Sequence, residues 1–500
     1  MLRLDDPLRA AEWLRARVGG HLSSDSRSLQ AGDGFIAWPG AAVDARRFAL
    51  DALARGAAAC LVEASGLESF PELAASSDAR LAAYDGLKAA CGFIASAFHG
   101  EPSRRLAVLA VTGTNGKTST AWWLASALPS PRLASPIPCG LVGTLGMGVP
   151  PMLEPSGLTT ADPVRWQRQL RSFVDRGLGA CAVEASSIGL AEHRLDGTEI
   201  RLALFTNFSR DHLDYHGSME AYWQAKARLF DWPDLRVAVV NVDDSKGSEL
   251  AARLQARPVD LWTVAIGGPA RLRADNARAQ PDGWCFDVVE GELRVPFAAP
   301  VLGRYNVSNL LGVIAALRAL GQPLPQAVAA CEGLAPVPGR LERIGREGQP
   351  LVVVDYAHTP DALDQVLAAL RPLATARGGR LWCVFGCGGN RDATKRPLMA
   401  AIAEKGADRV VVTSDNPRDE RPEAIVAQML LGLSHDRAVE VEVDRARAIA
   451  HAIGHAEPAD VVLLAGKGHE TWQEVAGRRL PFNDRAHAEA ALQAREEMTG

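Results

Sequence analysis

A glycine-rich turn after an apolar segment is the clearest chemical signal in this chain. Residues 106–111 are apolar, and the chain continues through Thr112 into Gly113-Thr-Asn-Gly-Lys-Thr118. Glycines let backbone N–H groups converge on an anion, a lysine adds a point charge for phosphate oxygens, and a threonine hydroxyl can bind Mg²⁺. The turn is a shortened variant of the general P-loop pattern, whose first glycine would fall at Val111. The predicted phosphate cradle comprises Gly113, Thr114, Asn115, Gly116, Lys117, Thr118 and Ser119.

Ionisable residues also follow two other predicted strands. Glu184 ends the apolar run 180–184, where a carboxylate facing Thr118 would complete a Mg²⁺ shell. The alternative is a solvated acid at the end of a strand. After a further strand, residues 206–216 contain Arg210, Asp211, His212, Asp214 and His216. A lone histidine is usually a packing or surface residue, but this density of ionisable groups favours a site.

Composition excludes several classes of protein. A chain of 500 residues is long enough for about three domains. A net charge of −5 gives no electrostatic basis for nucleic-acid binding. No apolar run has the length of a signal peptide core or a membrane span, so we expect a cytoplasmic protein without membrane insertion. The eight cysteines lack paired spacing, which predicts reduced and mostly buried thiols.

Alternating strand and helix patterns predict an α/β fold with three domains, at 1–103, 104–337 and 338–500. Near-continuous apolar strands, among them 351–355, 381–385 and 461–465, favour parallel sheets covered on both faces. We expect a central P-loop parallel-sheet domain and a Rossmann-like C-terminal domain. A helix over 119–128 would point its N-terminus at bound phosphates. Ligands of such sheets gather at the carboxyl ends of the strands.

The motifs taken together resemble the Mur ligases, which are ATP-dependent amide-forming enzymes that build the peptidoglycan stem peptide. The resemblance runs in order through nearly the whole chain, and it is strongest to the members that add the third residue. Asp25-Ser-Arg27 and residues 32–40 resemble the first domain of those members. The remaining motifs are Gly113-Thr-Asn-Gly-Lys-Thr118, Glu184-Ala-Ser-Ser187, Thr206-Asn-Phe-Ser-Arg-Asp-His-Leu-Asp214, Leu302-Gly-Arg-Tyr-Asn306-Val-Ser-Asn309, Pro338-Gly-Arg340-Leu-Glu342 and Asp355-Tyr-Ala-His358-Thr-Pro360.

The resemblance implies roles for residues around the nucleotide. Residues 113–119 would bind ATP, and Thr118, Glu184 and His212 would hold Mg²⁺. Lys226 matches a lysine that is carbamylated in these enzymes, which would turn a cation that repels Mg²⁺ into an anion; the alternative is a solvated helix lysine. Lys117, Glu184, His212 and Lys226 would form the catalytic group. Further ATP contacts are implied for Asn306, Asn309, Arg340 and Asp355.

The resemblance also implies a binding region for a UDP-sugar dipeptide. Its uridine-side positions are Ser24, Ser26, Ala41, Ala42 and Val43, and its peptide-side positions are Thr159, Thr160, Ser186, Glu192 and Arg194. Three positions depart from the expected pattern. Ala161 stands where proline is frequent, Ile188 replaces a frequent histidine, and Glu192 replaces a common glutamine. These departures bear on substrate contacts and leave the reaction type unchanged.

Asp415-Asn-Pro-Arg418 follows the apolar segment 409–413 and resembles a motif that recognises diaminopimelate. By itself such a tetrapeptide is commonly a turn stiffened by proline. The positions implied for this amino acid are Arg391, Asp415, Asn416, Pro417, Arg418, Gly466 and Glu470. The distal end of meso-diaminopimelate carries a carboxylate that arginines can grip and an ammonium that acids can face. Lysine, which has only the ammonium, would leave the arginines unpaired.

We therefore expect ATP to phosphorylate a carboxylate of the UDP-sugar dipeptide, and the amine of meso-diaminopimelate to attack the acyl phosphate. His358 or His212 would assist proton removal. The alternatives are a lysine-adding relative, a folylpolyglutamate synthetase and, from another class, a P-loop motor or switch. The expected partners are small molecules, and we expect a monomer.

Overall fold

The structure is a computed structural model that describes residues 1–40, 43–280, 283–334, 336–434 and 439–499. Its main sheets are three, drawn in turn from the beginning, the middle and the end of the described chain. The fold is α/β, as the sequence predicts. The exact domain limits at 103 and 337 stay a prediction. In the described part of the chain, no helix combines the length and apolarity needed to cross a membrane.

The N-terminal sheet is parallel throughout, in the order β1-β5-β4-β3-β2. Its strands are β1 (Leu2–Leu4), β2 (Leu22–Ser23), β3 (Gly34–Ala37), β4 (Ala59–Glu63) and β5 (Leu81–Tyr84). The helices are α1 (Pro7–Arg15), α2 (Ala49–Ala54), α3 (Pro71–Ala74) and α4 (Leu87–Phe98), with 3₁₀ turns at Ala45–Phe48, Leu67–Ser69 and Pro102–Arg105. Apolar side chains on both faces of the sheet are buried under these helices.

The central sheet has the order β16-β15-β14-β13-β12-β11-β6-β10-β7-β8-β9 among the described residues. Its strands are β6 (Ala107–Thr112), β7 (Cys139–Gly143), β8 (Gly146–Val149), β9 (Met152–Glu154), β10 (Ala180–Glu184), β11 (Leu202–Phe205), β12 (Val237–Asn241), β13 (Asp260–Ile266), β14 (Leu272–Gln280), β15 (Gly283–Glu290) and β16 (Leu293–Ala299). The helices are α5 (Lys117–Ala127), α6 (Pro163–Asp175), α7 (Ser187–Ala191), α8 (Leu213–His216), α9 (Met219–Ala227), α10 (Ser245–Leu254), α11 (Arg304–Ala319) and α12 (Leu324–Cys331), with a 3₁₀ turn at Arg228–Asp231.

The middle of this sheet is parallel, as predicted, but both of its edges are antiparallel, which the sequence analysis does not anticipate. β7, β8 and β9 form a meander at one edge, and β14, β15 and β16 form another at the opposite edge. The reason is local: β16 and much of β14 alternate exposed and buried residues, as expected for strands with one solvated face. The inner strands such as β6 are buried throughout, because apolar clusters cover both faces.

The C-terminal sheet has the order β17-β18-β22-β19-β20-β21, parallel except for β17. Its strands are β17 (Glu342–Ile344), β18 (Leu351–Asp355), β19 (Leu381–Phe385), β20 (Arg409–Val412), β21 (Val439–Val441) and β22 (Val461–Ala465), and a separate hairpin is formed by β23 (Trp472–Val475) and β24 (Arg478–Pro481). The helices are α13 (Pro360–Arg377), α14 (Lys395–Gly406), α15 (Pro422–Leu430), α16 (Arg445–His455) and α17 (Asp484–Thr499).

Two details refine the sequence predictions. Helix α5 begins at Lys117, two residues before the predicted start, because Gly116 adopts a positive φ of 83° and ends the turn there. Seven of the eight cysteines are buried and Cys285 is exposed, and all are free thiols. This agrees with the prediction of reduced and mostly buried cysteines.

Candidate functional site

The turn between β6 and α5 has the backbone of a phosphate cradle. Gly113 has φ 146°, and a Cβ built on it would lie 1.9 Å from the hydroxyl of Thr206. A Cβ on Gly116 would lie 2.6 Å from Oδ1 of Asn309. Neither position accepts a larger residue without displacing these neighbours. The two glycines therefore allow the turn to pack against the ends of β11 and α11, and α5 begins directly after it with free N–H groups.

Lys117 lies across the cradle rather than in solvent. Its Nζ donates hydrogen bonds to the carbonyl oxygens of Gly113 at 2.9 Å and Thr114 at 2.7 Å. Burial lowers the pKa of this ammonium, and the Glu184 carboxylate opposes that effect. The lysine is thus held by two backbone carbonyls at the mouth of the turn, where its charge can act on an anion.

Thr118 and Glu184 are neighbours, as the sequence predicts. The Thr118 hydroxyl donates to Oε2 of Glu184 at 2.9 Å. Thr144, which the sequence analysis did not single out, donates to the same carboxylate through its N–H at 2.8 Å and its hydroxyl at 3.2 Å. From the C-terminal part of the chain, Nη2 of Arg340 donates to the Thr118 hydroxyl at 3.1 Å. The buried Glu184 carboxylate and the Arg340 guanidinium therefore both contact the Thr118 hydroxyl.

His212 lies in the loop after β11 with a left-handed backbone, at φ 51°. Burial lowers its pKa to about 4, against the attraction of Asp211, so the imidazole is neutral at pH 7. Its Nε2 is 3.4 Å from Oδ2 of Asp211. Neutral imidazole is the form that ligates metals. The described residues nevertheless contain no cluster of three or more His, Cys, Asp or Glu side chains arranged as a metal site.

Lys226 is buried in α9 behind the cradle, with 1% of its surface exposed. Its Nζ donates to the Gly113 carbonyl oxygen at 2.6 Å and lies 4.5 Å from the centroid of the Tyr222 ring. Burial, and then the charge of Lys117, lower its pKa well below the ordinary value for lysine. The alternative of a solvated helix lysine is therefore wrong for this residue.

A cleft of about 440 Å³ joins the central and C-terminal sheets at this point. Asn306 and Asn309 line it from α11, with Nδ2 of Asn309 donating to Oδ1 of Asn306 at 3.0 Å. The buried carboxylate of Asp355 accepts N–H bonds from Leu341 at 2.7 Å and Ala357 at 2.8 Å. Burial raises the pKa of Asp355. Asp355 thus fixes the backbone beside Arg340, which reaches across to Thr118.

Several predicted positions for the sugar peptide lie next to the Glu184 end of the cleft. The Thr160 hydroxyl donates to the Glu184 carbonyl oxygen at 2.7 Å and is 2.9 Å from the Ser186 hydroxyl. The Thr159 hydroxyl is 3.1 Å from the Thr144 hydroxyl, and Nη1 of Arg194 donates to the Thr160 carbonyl oxygen at 3.0 Å. Thr159 and Ser186 line the cleft directly.

The remaining sugar positions are on the N-terminal side. The Ser24 hydroxyl donates to Oδ1 of Asp162 at 3.1 Å, which ties β2 to the start of α6. Ser26 is partly exposed, and Val43 is 47% exposed. Ala41 and Ala42 lie outside the described residues. Of the described positions, Ser24, Ser26 and Val43 are not among the residues that line the cradle cleft.

The three departures from the family pattern differ in their surroundings. Ala161 is buried immediately before the N-cap of α6, and Ile188 is half-buried in α7. Glu192 is engaged by two partners: Nζ of Lys88 is 2.8 Å from Oε2, and the Tyr215 hydroxyl donates to Oε1 at 2.5 Å. The extra negative charge at position 192 is therefore neutralised by a lysine from the N-terminal part of the chain, which the sequence alone did not indicate.

The predicted amino-acid residues meet at the carboxyl ends of β20 and β22. Asn416 is buried, and its Nδ2 donates to Oε2 of Glu470 at 2.8 Å. A lysine not identified from the sequence, Lys467, is fully buried and donates to Oδ1 of Asn416 at 3.0 Å and Oε2 of Glu470 at 2.8 Å. A Cβ on Gly466 would lie 2.6 Å from Oδ2 of Asp415. Both acids are thus present, and Lys467 partly neutralises the charge of Glu470.

Arg418 and Arg391 are both neighbours of Gly388. A Cβ built on Gly388 would lie 2.9 Å from Nη1 of Arg418 and 3.8 Å from Cγ of Arg391. Arg418 is half-buried and adopts a positive φ of 53°, whereas Arg391 is exposed. Pro417 is buried between Asn416 and Arg418. The tetrapeptide is therefore a packed segment that follows the carboxyl end of β20, and it is not a solvated turn.

The fold and the cleft define a class: an α/β nucleotide-binding protein in which a P-loop sheet and a second, Rossmann-like sheet face one another. Comparison with known proteins agrees. Residues 111–317 match the Mur ligase middle domain, and residues 339–468 match the Mur ligase glutamate ligase domain. With curated relatives matching along almost its whole length, the chain belongs to the Mur ligase family.

Three relatives are named UDP-N-acetylmuramoyl-L-alanyl-D-glutamate--2,6-diaminopimelate ligase. The protein of Acidovorax sp. (strain JS42) is 61% identical over 492 residues, covering 97% of each chain. The protein of Janthinobacterium sp. (strain Marseille) is 47% identical over 498 residues, covering 97% of this chain and 96% of its own. A solved structure with that name is 35% identical, covers 95% of each chain and superposes with a TM-score of 0.65.

Proposed function

We propose that this protein is an ATP-dependent ligase that adds meso-diaminopimelate to UDP-N-acetylmuramoyl-L-alanyl-D-glutamate in peptidoglycan synthesis. The observation that carries the proposal is the shared cleft. The cradle residues Lys117 and Thr118 line it from one sheet, and Arg340 and Asp355 line it from the other. The relatives that match almost the whole chain are named for this reaction.

The reaction proceeds in two steps. The free γ-carboxylate of the D-glutamyl residue attacks the terminal phosphorus of ATP, which releases ADP and forms an acyl phosphate. The amine of diaminopimelate then attacks the acyl carbon, loses a proton and expels phosphate, which leaves an amide. Lys117 and Arg340 offset the negative charge that builds up around the transferred phosphoryl group. Closure of the cleft around the bound substrates would limit hydrolysis of the acyl phosphate by water.

The donor set in the cleft fits a magnesium ion. The Thr118 hydroxyl and the Glu184 carboxylate are hard oxygen donors 2.9 Å apart, and His212 offers a neutral imidazole in the same cleft. We propose that these three residues hold Mg²⁺ together with phosphate oxygens, where the ion would supply charge neutralisation. Glu184 is fixed for this role by Thr144.

His212 and His358 both line the cleft and are the two candidates to take the proton of the attacking amine. Nδ1 of His358 lies 2.8 Å from the Tyr356 carbonyl oxygen. Because a carbonyl only accepts, Nδ1 carries the hydrogen and Nε2 keeps a lone pair. Burial, and then the charge of Lys395, lower the pKa of His358. We propose Nε2 of His358 as the proton acceptor, with His212 kept for the metal.

Lys226 is proposed to be carbamylated. Only a neutral amine attacks carbon dioxide, and burial beside Lys117 favours the neutral amine. With ¹³C-bicarbonate, we expect one slowly exchanging carbamate resonance in the ¹³C spectrum of the wild-type protein and none in Lys226→Met. Lys405→Met, which replaces an exposed lysine of α14, is the matched control and should keep the resonance. The same spectrum for wild type and Lys226→Met would contradict the modification.

The N-terminal and C-terminal parts of the chain take the other two substrates in this proposal. Residues 1–103, with Ser24, Ser26 and residues 41–43, would hold the UDP-sugar, and residues 338–500 would hold the amino acid. Thr159, Thr160, Ser186, Glu192 and Arg194 would contact the growing peptide. ATP and a UDP-linked sugar as substrates support a cytoplasmic location.

A ligation assay tests the function as a whole. The protein is incubated with ATP, Mg²⁺ and the UDP-linked dipeptide, and with meso-diaminopimelate or L-lysine in parallel reactions. We expect equimolar ADP, phosphate and a UDP-linked tripeptide with diaminopimelate, and little product with lysine. Product with lysine alone would identify a lysine-adding enzyme, and product with folate and glutamate would identify a folylpolyglutamate synthetase. ATP turnover that is driven by a macromolecule and indifferent to amino acids would identify a motor or switch.

A further inference from the structure

The hairpin formed by β23 and β24 holds the backbone of the Asp415–Arg418 segment. The Glu474 N–H donates to Oδ1 of Asn416 at 3.0 Å, and the Glu474 carbonyl oxygen accepts from the Arg418 N–H at 2.9 Å. The Ala476 N–H donates in turn to the Arg418 carbonyl oxygen at 2.7 Å. Arg418 is thereby fixed in a left-handed conformation, which a non-glycine residue adopts only when its surroundings impose it.

These backbone contacts place the Glu474 carboxylate beside the Arg418 side chain. Nε of Arg418 is 3.5 Å from Oε2 of Glu474, and the two side chains are 21% and 28% exposed. Nη1 of Arg418 donates to the carbonyl oxygen of Gly389 at 2.7 Å. The guanidinium therefore has one close neutral acceptor and one carboxylate at a distance longer than a charge-assisted hydrogen bond. Such a loose pair leaves Arg418 available to a second carboxylate.

We propose that Glu474 is a specificity-determining residue that competes with the distal carboxylate of the amino acid for Arg418. This inference rests on the proposed function. A ligand carboxylate that reaches Arg418 must approach Glu474 and meets like-charge repulsion. An ammonium in the same place meets an attractive partner in Glu474. The Glu474 carboxylate therefore weakens the binding of diaminopimelate and reduces the discrimination against lysine that Arg418 provides.

The variant Glu474→Gln separates this role from a structural one. Glutamine keeps the length of the side chain, and both hydrogen bonds of residue 474 to the 415–418 segment come from its backbone. For a partly exposed pair we expect the KM for meso-diaminopimelate to fall about three- to fivefold and kcat to stay unchanged. The Ki of L-lysine as a competitor of diaminopimelate should rise by a similar factor.

Two controls complete the experiment. Glu423→Gln removes the same charge from an exposed pair with Arg421, and it should leave both constants unchanged. In an Arg418→Met background, Glu474→Gln should no longer lower the KM for diaminopimelate, because the arginine for which the two carboxylates compete is absent. A KM for diaminopimelate that is unchanged or raised in Glu474→Gln overturns the inference. A wild-type protein that ligates no diaminopimelate would refute the proposed function instead.

Discussion

Replacement of Lys117 by alanine is expected to abolish ATP-dependent amide formation, with kcat lower by at least about 10³-fold. The Lys117 ammonium is held over the cradle by the carbonyl oxygens of Gly113 and Thr114. It is therefore placed for the charge that develops on the transferred phosphoryl group, where a preorganised cation is worth several kcal/mol. The measurement is ADP release in the presence of all three substrates.

The control for this experiment is Lys405→Ala, which removes an exposed lysine from α14 and should keep full activity. Because Lys117 also bonds two carbonyls of the turn, circular dichroism and ADP binding should be measured on the variant as well. A folded Lys117→Ala protein that binds ADP but does not ligate supports a role in transfer. Full activity in that protein would refute the assignment of the cradle.

Replacement of Arg418 by methionine is expected to lower kcat/KM for meso-diaminopimelate about 100-fold, the cost of one charge-assisted hydrogen-bonded contact in a partly buried site. For lysine, kcat/KM should rise or stay unchanged, because lysine has no distal carboxylate and the variant removes a charge that repels its ammonium. Comparing kcat/KM for the two amino acids gives a specificity ratio that should fall sharply. The assay is the same ligation reaction.

Arg421→Met is the matched control for this variant. It removes an arginine three positions along the chain, which is exposed and lies 3.7 Å from Glu423. This variant should leave the specificity ratio as in the wild type. Equal losses of activity with both amino acids in Arg418→Met would indicate a damaged fold at the sheet edge, and an unchanged ratio would contradict the role of Arg418 in selecting diaminopimelate.

Much of the nucleotide end of the site could be predicted from local sequence. The turn from Gly113 to Thr118 needs a positive φ at two positions, and both of these positions are glycines in the sequence. The strands 180–184 and 351–355 are short apolar runs, and both are strands with those bounds in the structure. Because the carboxyl ends of parallel strands lie at the same edge of a sheet, the sequence predicts Glu184 near Thr118, and the two side chains are hydrogen-bonded.

Other parts could not be predicted, because their partners are distant in the chain. The antiparallel edges of the central sheet were missed, although β16 has a period-two pattern. Thr144 reaches Glu184 across 40 positions, and Lys88 reaches Glu192 from helix α4 of the N-terminal part of the chain. A single threonine or lysine in a polar stretch of sequence gives no local signal that it contacts a carboxylate far away in the chain. Ala41 and Ala42 lie outside the described residues, so their predicted contacts stay predictions.

The sequence by itself determined the α/β class, the cradle and the family resemblance, because these depend on short runs with fixed geometry: apolar strands, a glycine turn and the helix that follows. Only the tertiary structure decided how charge is distributed around them. It buries Lys226 behind Gly113, places Lys467 between Asn416 and Glu470, and sets Glu474 beside Arg418. Burial and pairing depend on contacts between elements, which determine the protonation and partners of each group, and no local pattern in the chain records them.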